Sequence, residues 1–246
     1  MNTLLLLLLD SRAPTGAHNH SGGMEAAVSV GLVAGLPDVE EFCRGRLRTS
    51  GRVAAAFAAA ACRLQRGAVA GPHTAGPHTA GPLAGGLSLA GEWALLDAEF
   101  EARSPSEAMR GASRQLGGGL RRLLRSILPD ADLVTPWAQC AGPAPHHPLV
   151  LGAGVALAGG TPELAGRAAA LATCTGPASA AVRLLGLDPF AVQAMLARLA
   201  PDVGDCGEDA ALSAAQPPGS LPCASAPALD LLADFQLTAE VRLFAS

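Results

Sequence analysis

From Ser104 onward, apolar side chains recur at Met109, Ala112, Leu116, Leu120, Leu123 and Ile127, in steps of three and four residues. That spacing sets them on one face of a helix over 105–127, which Pro129 ends. Arg110, Arg114, Arg121 and Arg125 fall on another face and form a basic stripe. Such a stripe is read either as a solvated helix face or as a docking surface for an acidic partner, whose carboxylates the arginine fork pairs bidentately. Gly117, Gly118 and Gly119 interrupt the pattern. Each costs a helix about 1 kcal/mol relative to alanine, which is tolerable where another backbone packs closely or where the helix bends.

Helix starts recur elsewhere. Ser104-Pro105, Thr161-Pro162 and Asp188-Pro189 each place a side-chain cap before a proline at the first helical position. Glu107 completes a capping box with Ser104, and Asp38 with Glu41 repeats the spacing. Strand signals are weak: tyrosine is absent, isoleucine occurs once, and alternating β-branched runs are missing. The pattern predicts helices near 2–9, 22–34, 38–49, 52–66, 88–103, 105–127, 148–159, 162–174, 177–186, 189–199 and 226–238. The expected fold is all-α: a single-domain bundle of about ten helices over 1–246, rich in alanine and glycine, in which small residues let helices approach closely. A Pro/Gly-rich loop at 67–87, a linker at 216–227 and a C-terminal tail at 239–246 punctuate it.

Three segments invite other readings. The run Leu4 to Leu9 has no basic residue before it and is closed by Asp10, so it reads as a buried helix rather than a secretory signal. Residues 133–162 carry no charge, yet Pro136, Pro143, Pro145, Pro148 and His146-His147 interrupt them. The unbroken apolar stretch, Leu149 to Ala158, is too short to span a bilayer, so no membrane is expected. The tandem AGPHT repeat over 70–82 reads as a solvated loop expansion, with metal binding through His73 and His78 as a weak alternative.

Composition narrows the chemistry. With 17 basic residues, all arginine, against 21 acidic ones, the net charge is −4, which argues against nucleic acid. No lysine is present for a P-loop. The six cysteines show no CxxC spacing and read as reduced cytosolic thiols. No GxSxG, HExxH or strand-borne GxGxxG occurs, so no catalytic residue is assigned. His18 and His20 form a weak metal-ligand pair, and adjacent His146 and His147 a weaker one.

Five blocks, in order, resemble the urease accessory protein UreF family. Leu4–Leu9, Asp10-Ser11, Pro14-Thr15-Gly16, His20-Ser21 and Gly23-Met24-Glu25 resemble its leucine-rich opening followed by ADSxxPTGGxAHSxGLE. Asp97, Arg110, Ala112-Ser113, Gly117 and Leu123-Leu124 resemble its LDxxL…LRxASxxxGxxLL block. His147 to Gly152, Ala180 to Leu184, and the terminal Arg242-Leu243-Phe244-Ala245-Ser246 resemble HxPxVxG, SAAxRL and RLFxS. The chain departs at Ala17-His18, where Gly-Phe is usual, at Ala245, often arginine, and at Phe235-Gln236, where a histidine is frequent.

The resemblance implies an all-helical, dimeric adaptor that binds the accessory protein UreD through a surface including the C-terminal tail. It implies that the complex recruits the nickel-carrying GTPase UreG and delivers nickel to apo-urease, with no cofactor bound permanently. It places Pro14, Thr15, Gly16, His20, Ser21 and Glu25 on a surface that meets the GTPase and Arg242, Leu243 and Phe244 in the tail that binds UreD; Arg110 and Ser113 of the central block, with Arg114 and Arg121 of the stripe, complete the expected partner contacts. Ser21 is also a candidate cap for the helix holding Glu25, and Leu243-Phe244 a mobile apolar anchor that orders on a partner. Two other readings stand beside this one: a helical protein that binds metal through His18, His20, His146 and His147, and an unrecognised helical enzyme.

Overall fold

A computed structural model describes residues 3–10, 13–70, 86–131, 137–142, 144–237 and 243–244. The AGPHT repeat with His73 and His78, and Arg242, lie outside the described residues. Among those described, every regular element is helical: α1 (Thr3–Leu9), α2 (Met24–Ser29), α3 (Leu36–Arg46), α4 (Arg52–Ala70), α5 (Leu89–Ala102), α6 (Glu107–Ile127), α7 (His147–Leu157), α8 (Pro162–Leu185), α9 (Pro189–Arg198), α10 (Ala200–Ser213) and α11 (Pro227–Leu237).

The bundle is built around α4. Its residues Val53 to Cys62 are all buried, eight of the ten being alanine or cysteine. Side chains this small let α7, α8 and α10 pack onto it. Phe57 and Ala61 face a core with Trp93, Leu96, Phe100, Leu124 and Leu149. Ala55 and Ala59, one helical turn apart, face a second core with Met24, Val39, Ala170 and Met195. Helix α7 is apolar all round and buried from Pro148 to Ala156, as expected of the short stretch before it could be mistaken for a membrane span. Helix α8 is long and apolar enough to cross a membrane by length and composition, but here it packs against α3, α4, α7 and α10.

Close approach of helices is concentrated at glycines. A Cβ added at Gly152 of α7 would lie 2.1 Å from the carbonyl oxygen of Ala58 in α4. At Gly117 and Gly119 of α6 it would lie 2.0 Å from Pro145 O and 2.4 Å from Thr15 O. Of the two ways to accommodate the triple glycine, backbone contact is the one observed, on two sides of the same helix.

Several expectations are corrected. Helix α8 runs straight through Pro177, where a break between 174 and 177 was expected. Proline removes the N–H that would bond the carbonyl of Thr173, four residues back. That carbonyl instead accepts from Nε of the buried Arg46 at 3.0 Å, so the interruption is compensated from another helix. Helix α10 went unforeseen, because Gly204, Gly207 and four acidic residues dilute its apolar pattern. The capping serine of α6 is Ser106, whose Oγ accepts from Met109 N at 3.1 Å, whereas Ser104 Oγ donates to Phe100 O and finishes α5. Asp38 sits at the third position of α3 and accepts from Ala34 N and Gly35 N, rather than capping a helix at 38. The stretch read as 22–34 is shorter, ending at Ser29, and 38–49 passes through a π-turn at 47–51 directly into α4. Thr161 and Asp188 cap as expected.

Only Leu5 and Leu8 of the leucine run are buried; Leu6, Leu7 and Leu9 are exposed, because a two-turn helix lying on the bundle has one inward face. The 216–227 stretch is no free linker. Leu221 enters the core, and the Arg103 guanidinium donates to the carbonyls of Gly219, Leu221 and Pro222 at 3.0, 3.3 and 3.1 Å.

Candidate functional site

The segment carrying Pro14 to Glu25 lies over α6, α8 and α11. Gly16 adopts φ +85°, which favours glycine, and opens a short 3-10 turn over Ala17–Asn19. Thr15 rests on Gly119 through its backbone carbonyl, while Pro14 is exposed. His18 is exposed and His20 half-buried; burial first, then the neighbouring His18, lowers the His20 pKa. Among the described residues no group of three or more His, Cys, Asp or Glu side chains is disposed to hold a metal ion.

Ser21 is fully buried, and its Oγ accepts from Glu25 N at 3.3 Å, although the helix formally begins after Gly23. Gly22 and Gly23 both have positive φ. Arg46 donates to Gly22 O at 2.9 Å while holding Thr173 O, so one buried guanidinium ties the loop to α8. Burial lowers the pKa of Arg46, and its two carbonyl acceptors satisfy the charge locally.

Glu25 then reaches the other end of the chain. Its two carboxylate oxygens accept from Leu243 N at 2.7 Å and Phe244 N at 3.1 Å. Phe244 is buried, with the Arg183 guanidinium 5.7 Å from its ring centre, whereas Leu243 is 73% exposed. In the chain by itself Phe244 thus packs into the bundle while Leu243 is exposed. The preceding helix, α11, is fastened by Asp234, whose Oδ1 accepts from Ser106 Oγ at 2.6 Å and Ala108 N at 3.1 Å at the start of α6. On its outer side α11 exposes Leu231 and Phe235, one turn apart.

The arginine stripe is not four equivalent cations. Arg114 lies at the centre of a polar cluster that joins α5, α6 and the start of α7. It pairs with the fully buried Asp97 at 3.1 Å and with Glu101 at 2.7 Å, and donates to Ala144 O at 2.7 Å. Burial would lower its pKa, but Asp97 and Glu101 outweigh that and raise it. Arg110 pairs with Glu101 at 3.0 Å and donates to the Ser104 and Pro105 carbonyls. Arg121 is half-buried and Arg125 exposed, so the solvated part of the stripe is its C-terminal half. Ser113 serves the same cluster: its Oγ accepts from His147 N at 3.2 Å and lies 3.1 Å from His146 Nδ1. His146 Nε2 lies 2.6 Å from Glu101 Oε2, and Asp97 Oδ1 accepts from His146 N. The buried histidine is thus an internal connector.

Burial pushes the His147 pKa down to about 4, and burial followed by Arg114 lowers that of His146. A histidine depressed in the folded state binds its proton more readily when unfolded. Stability is therefore full above the unfolded pKa near 6.5 and falls as pH drops toward 4. Urea titrations at pH 7, 5.5 and 4.5 are expected to show this loss, and His147→Asn to flatten it. An unchanged slope in the variant would remove His147 from the account.

Sequence reasoning singled out Glu25, Ser21 and the tail but not Arg46, Asp234 or Glu101. A proline inside a helical pattern, with a free carbonyl four residues back, is the one signal that asks for a donor such as Arg46.

The family model for UreF matches residues 33–200. The urease accessory protein UreF of Mycobacterium marinum is 41% identical over 243 residues, covering 99% of this chain and 98% of that protein. That of Mycobacterium sp. strain JLS is 41% identical over 244 residues, covering 99% and 98%, and that of Mycolicibacterium vanbaalenii 43% identical over 244 residues, covering 98% and 97%. At 98–99% of the chain, these matches take in the 13–25 segment, which the family model leaves out. By motif order, helical architecture and near end-to-end similarity, the chain belongs to the UreF family of urease accessory proteins.

Proposed function

We propose that this protein is a cytoplasmic, non-enzymatic adaptor of urease maturation. It joins UreD to the nickel-carrying GTPase UreG, acts as a dimer within that complex, and couples GTP hydrolysis to nickel entry into apo-urease. Nickel is cargo of the assembly rather than a resident cofactor of this chain. The observation that carries the reading is the meeting of the two chain ends: the segment around Glu25 and the Leu243-Phe244 tail, 218 residues apart, form one surface. Family membership supports the setting, and the apolar exposures of Leu231, Phe235 and Leu243 around that surface suit protein contact.

The test is co-expression with the cognate UreD and UreG, followed by size-exclusion chromatography with light scattering, with and without GTP and nickel. A discrete species with two copies each of this chain and UreD, gaining UreG, is expected. A lone folded chain that ignores both partners overturns the adaptor reading. Stoichiometric, tight nickel binding by the isolated chain overturns the cargo assignment.

A further inference from the structure

We infer that Cys43 of α3 and Cys174 of α8 are a two-thiol modification site, which hydrogen peroxide converts to a disulfide that staples the two helices together. The site is independent of the adaptor reading.

The geometry is reciprocal. Cys43 Sγ donates to Cys174 O at 3.8 Å, and Cys174 Sγ donates to Cys43 O at 3.6 Å. Two sulfurs that each reach the other residue's main chain face one another across the helix interface, and the thiols also hydrogen-bond to each other. Facing side chains on closely packed backbones are what a disulfide requires, its Cα atoms lying about 4.4–6.8 Å apart. Both cysteines are free and buried in the core shared by α3 and α8. A third cysteine of that core, Cys206, donates instead to Leu47 O at 3.7 Å, so the pairing is specific.

The two thiols are not equivalent. The hydrogen bond from Cys43, then Thr173 Oγ1 at 4.0 Å and the Arg46 guanidinium, draw Cys174 toward the thiolate against the effect of burial. The same hydrogen bond, together with burial, holds Cys43 protonated. Cys174 is therefore the first nucleophile. Its sulfur attacks one peroxide oxygen and the O–O bond breaks. Cys174 becomes a sulfenic acid, and the departing hydroxide takes up the proton that Cys174 gave up and leaves as water. Cys43 then loses its proton and attacks the sulfenyl sulfur. The S–S bond forms and the expelled hydroxide leaves as a second water. Two thiols thus lose two electrons and two protons to one peroxide, which is reduced to two waters.

Buried sulfurs need a local opening to meet the oxidant, and both helices are weak beside them. One turn past Cys43, α3 gives way to the π-turn at 47–51. Three residues past Cys174, Pro177 leaves Thr173 O without a donor from α8, and Arg46 fills that place from α3. Release of this one side chain opens the seam between the helices while the rest of the bundle stays folded. The disulfide closes the seam at the level where Arg46 also holds Gly22, joining residues 131 apart in the chain.

The experiment is peroxide treatment of the full folded chain carrying Cys223→Ser, which removes the exposed thiol, followed by proteolysis without reductant and mass spectrometry. A linked pair of peptides holding Cys43 and Cys174 is expected, lighter than the two free peptides by two hydrogens and separated by dithiothreitol. The thermal midpoint of the linked chain is expected to rise by about 5 °C and to fall back on reduction. In Cys43→Ala, dimedone is expected to trap a sulfenic acid at Cys174, and in Cys174→Ala none at Cys43. Absence of the linked peptides from the folded chain, a link from Cys174 to Cys206 in their place, or a link formed only after urea unfolding overturns the site. A linked chain that melts no higher than the reduced one overturns the staple. Trapping at Cys43, or none at Cys174, overturns the order of attack.

Discussion

Replacing Gly152 or Gly117 with alanine is expected to destabilise the protein by about 3 kcal/mol or more, although alanine is the better helix former. In α7 the new methyl would sit 2.1 Å from Ala58 O, and in α6 2.0 Å from Pro145 O. Both clashing atoms are backbone carbonyls, which cannot rotate aside as a long side chain would. Relief requires α7 to move away from α4, or α6 from the segment entering α7, and each movement opens the core around Leu124 and Leu149. Gly111 supplies the control. It lies in the same helix as Gly117, and nothing lies within 4 Å of a Cβ there. Gly111→Ala should therefore show only propensity and stabilise by about 0.5–1 kcal/mol. Urea unfolding of the three variants side by side checks the argument: opposite signs within one helix are expected, and stabilisation by all three would mean that the close approaches are not real. Gly119→Ala has a more local result, because its methyl would meet Thr15 O at 2.4 Å and push the 13–20 segment off α6.

The triple glycine illustrates what periodicity can and cannot reveal. The pattern in α6 predicts a helix with an unusual cost at 117–119, and it asks for a backbone neighbour without saying which one. The two neighbours, Thr15 and Pro145, come from opposite directions along the chain. Helices with caps or strong stripes were legible, as at Thr161 and Asp188. Helix α10 was not, because its buried side consists of Val203, Cys206, Gly207 and Ala210, residues small enough to pass as loop composition. Pro177 reads as a boundary because local sequence cannot show that Arg46, 131 residues earlier, supplies the missing donor.

The site divides in the same way. Glu25, Ser21 and Leu243-Phe244 stand out because they belong to motifs resembling those of the family, but their mutual contact has no local signal. The stripe of Arg110, Arg114, Arg121 and Arg125 was correct as helical geometry. It was incomplete as a surface, since periodicity around one helix says nothing of the acidic groups that α5 places against it.

That placement carries the second large effect. Asp97→Ala is expected to cost about 3–5 kcal/mol. The carboxylate is fully buried and pairs with Arg114, whose own side chain is only 11% exposed. Without Asp97, Arg114 keeps Glu101 as its one carboxylate partner, and His146 N loses its acceptor at the first turn of α7. The cost arises less from the attraction lost than from a cation and an N–H left enclosed without full compensation. Asp97→Asn, which retains an acceptor oxygen, should cost less, and Arg114→Met combined with Asp97→Ala should recover part of the loss, because the stranded charge is then gone. A double-mutant cycle by denaturant unfolding measures this; a cost below about 1 kcal/mol for Asp97→Ala would show the pair to be no more than a surface contact. The same reasoning decides how the docking role of the stripe is to be probed. Arg114→Glu would set a third carboxyl group against Asp97 and Glu101 and disrupt complex assembly from inside the fold. Arg121→Glu with Arg125→Glu changes the solvated half and leaves the cluster whole. If that double variant assembles with UreD and UreG as the wild type does, the stripe belongs to the architecture and the docking surface lies elsewhere.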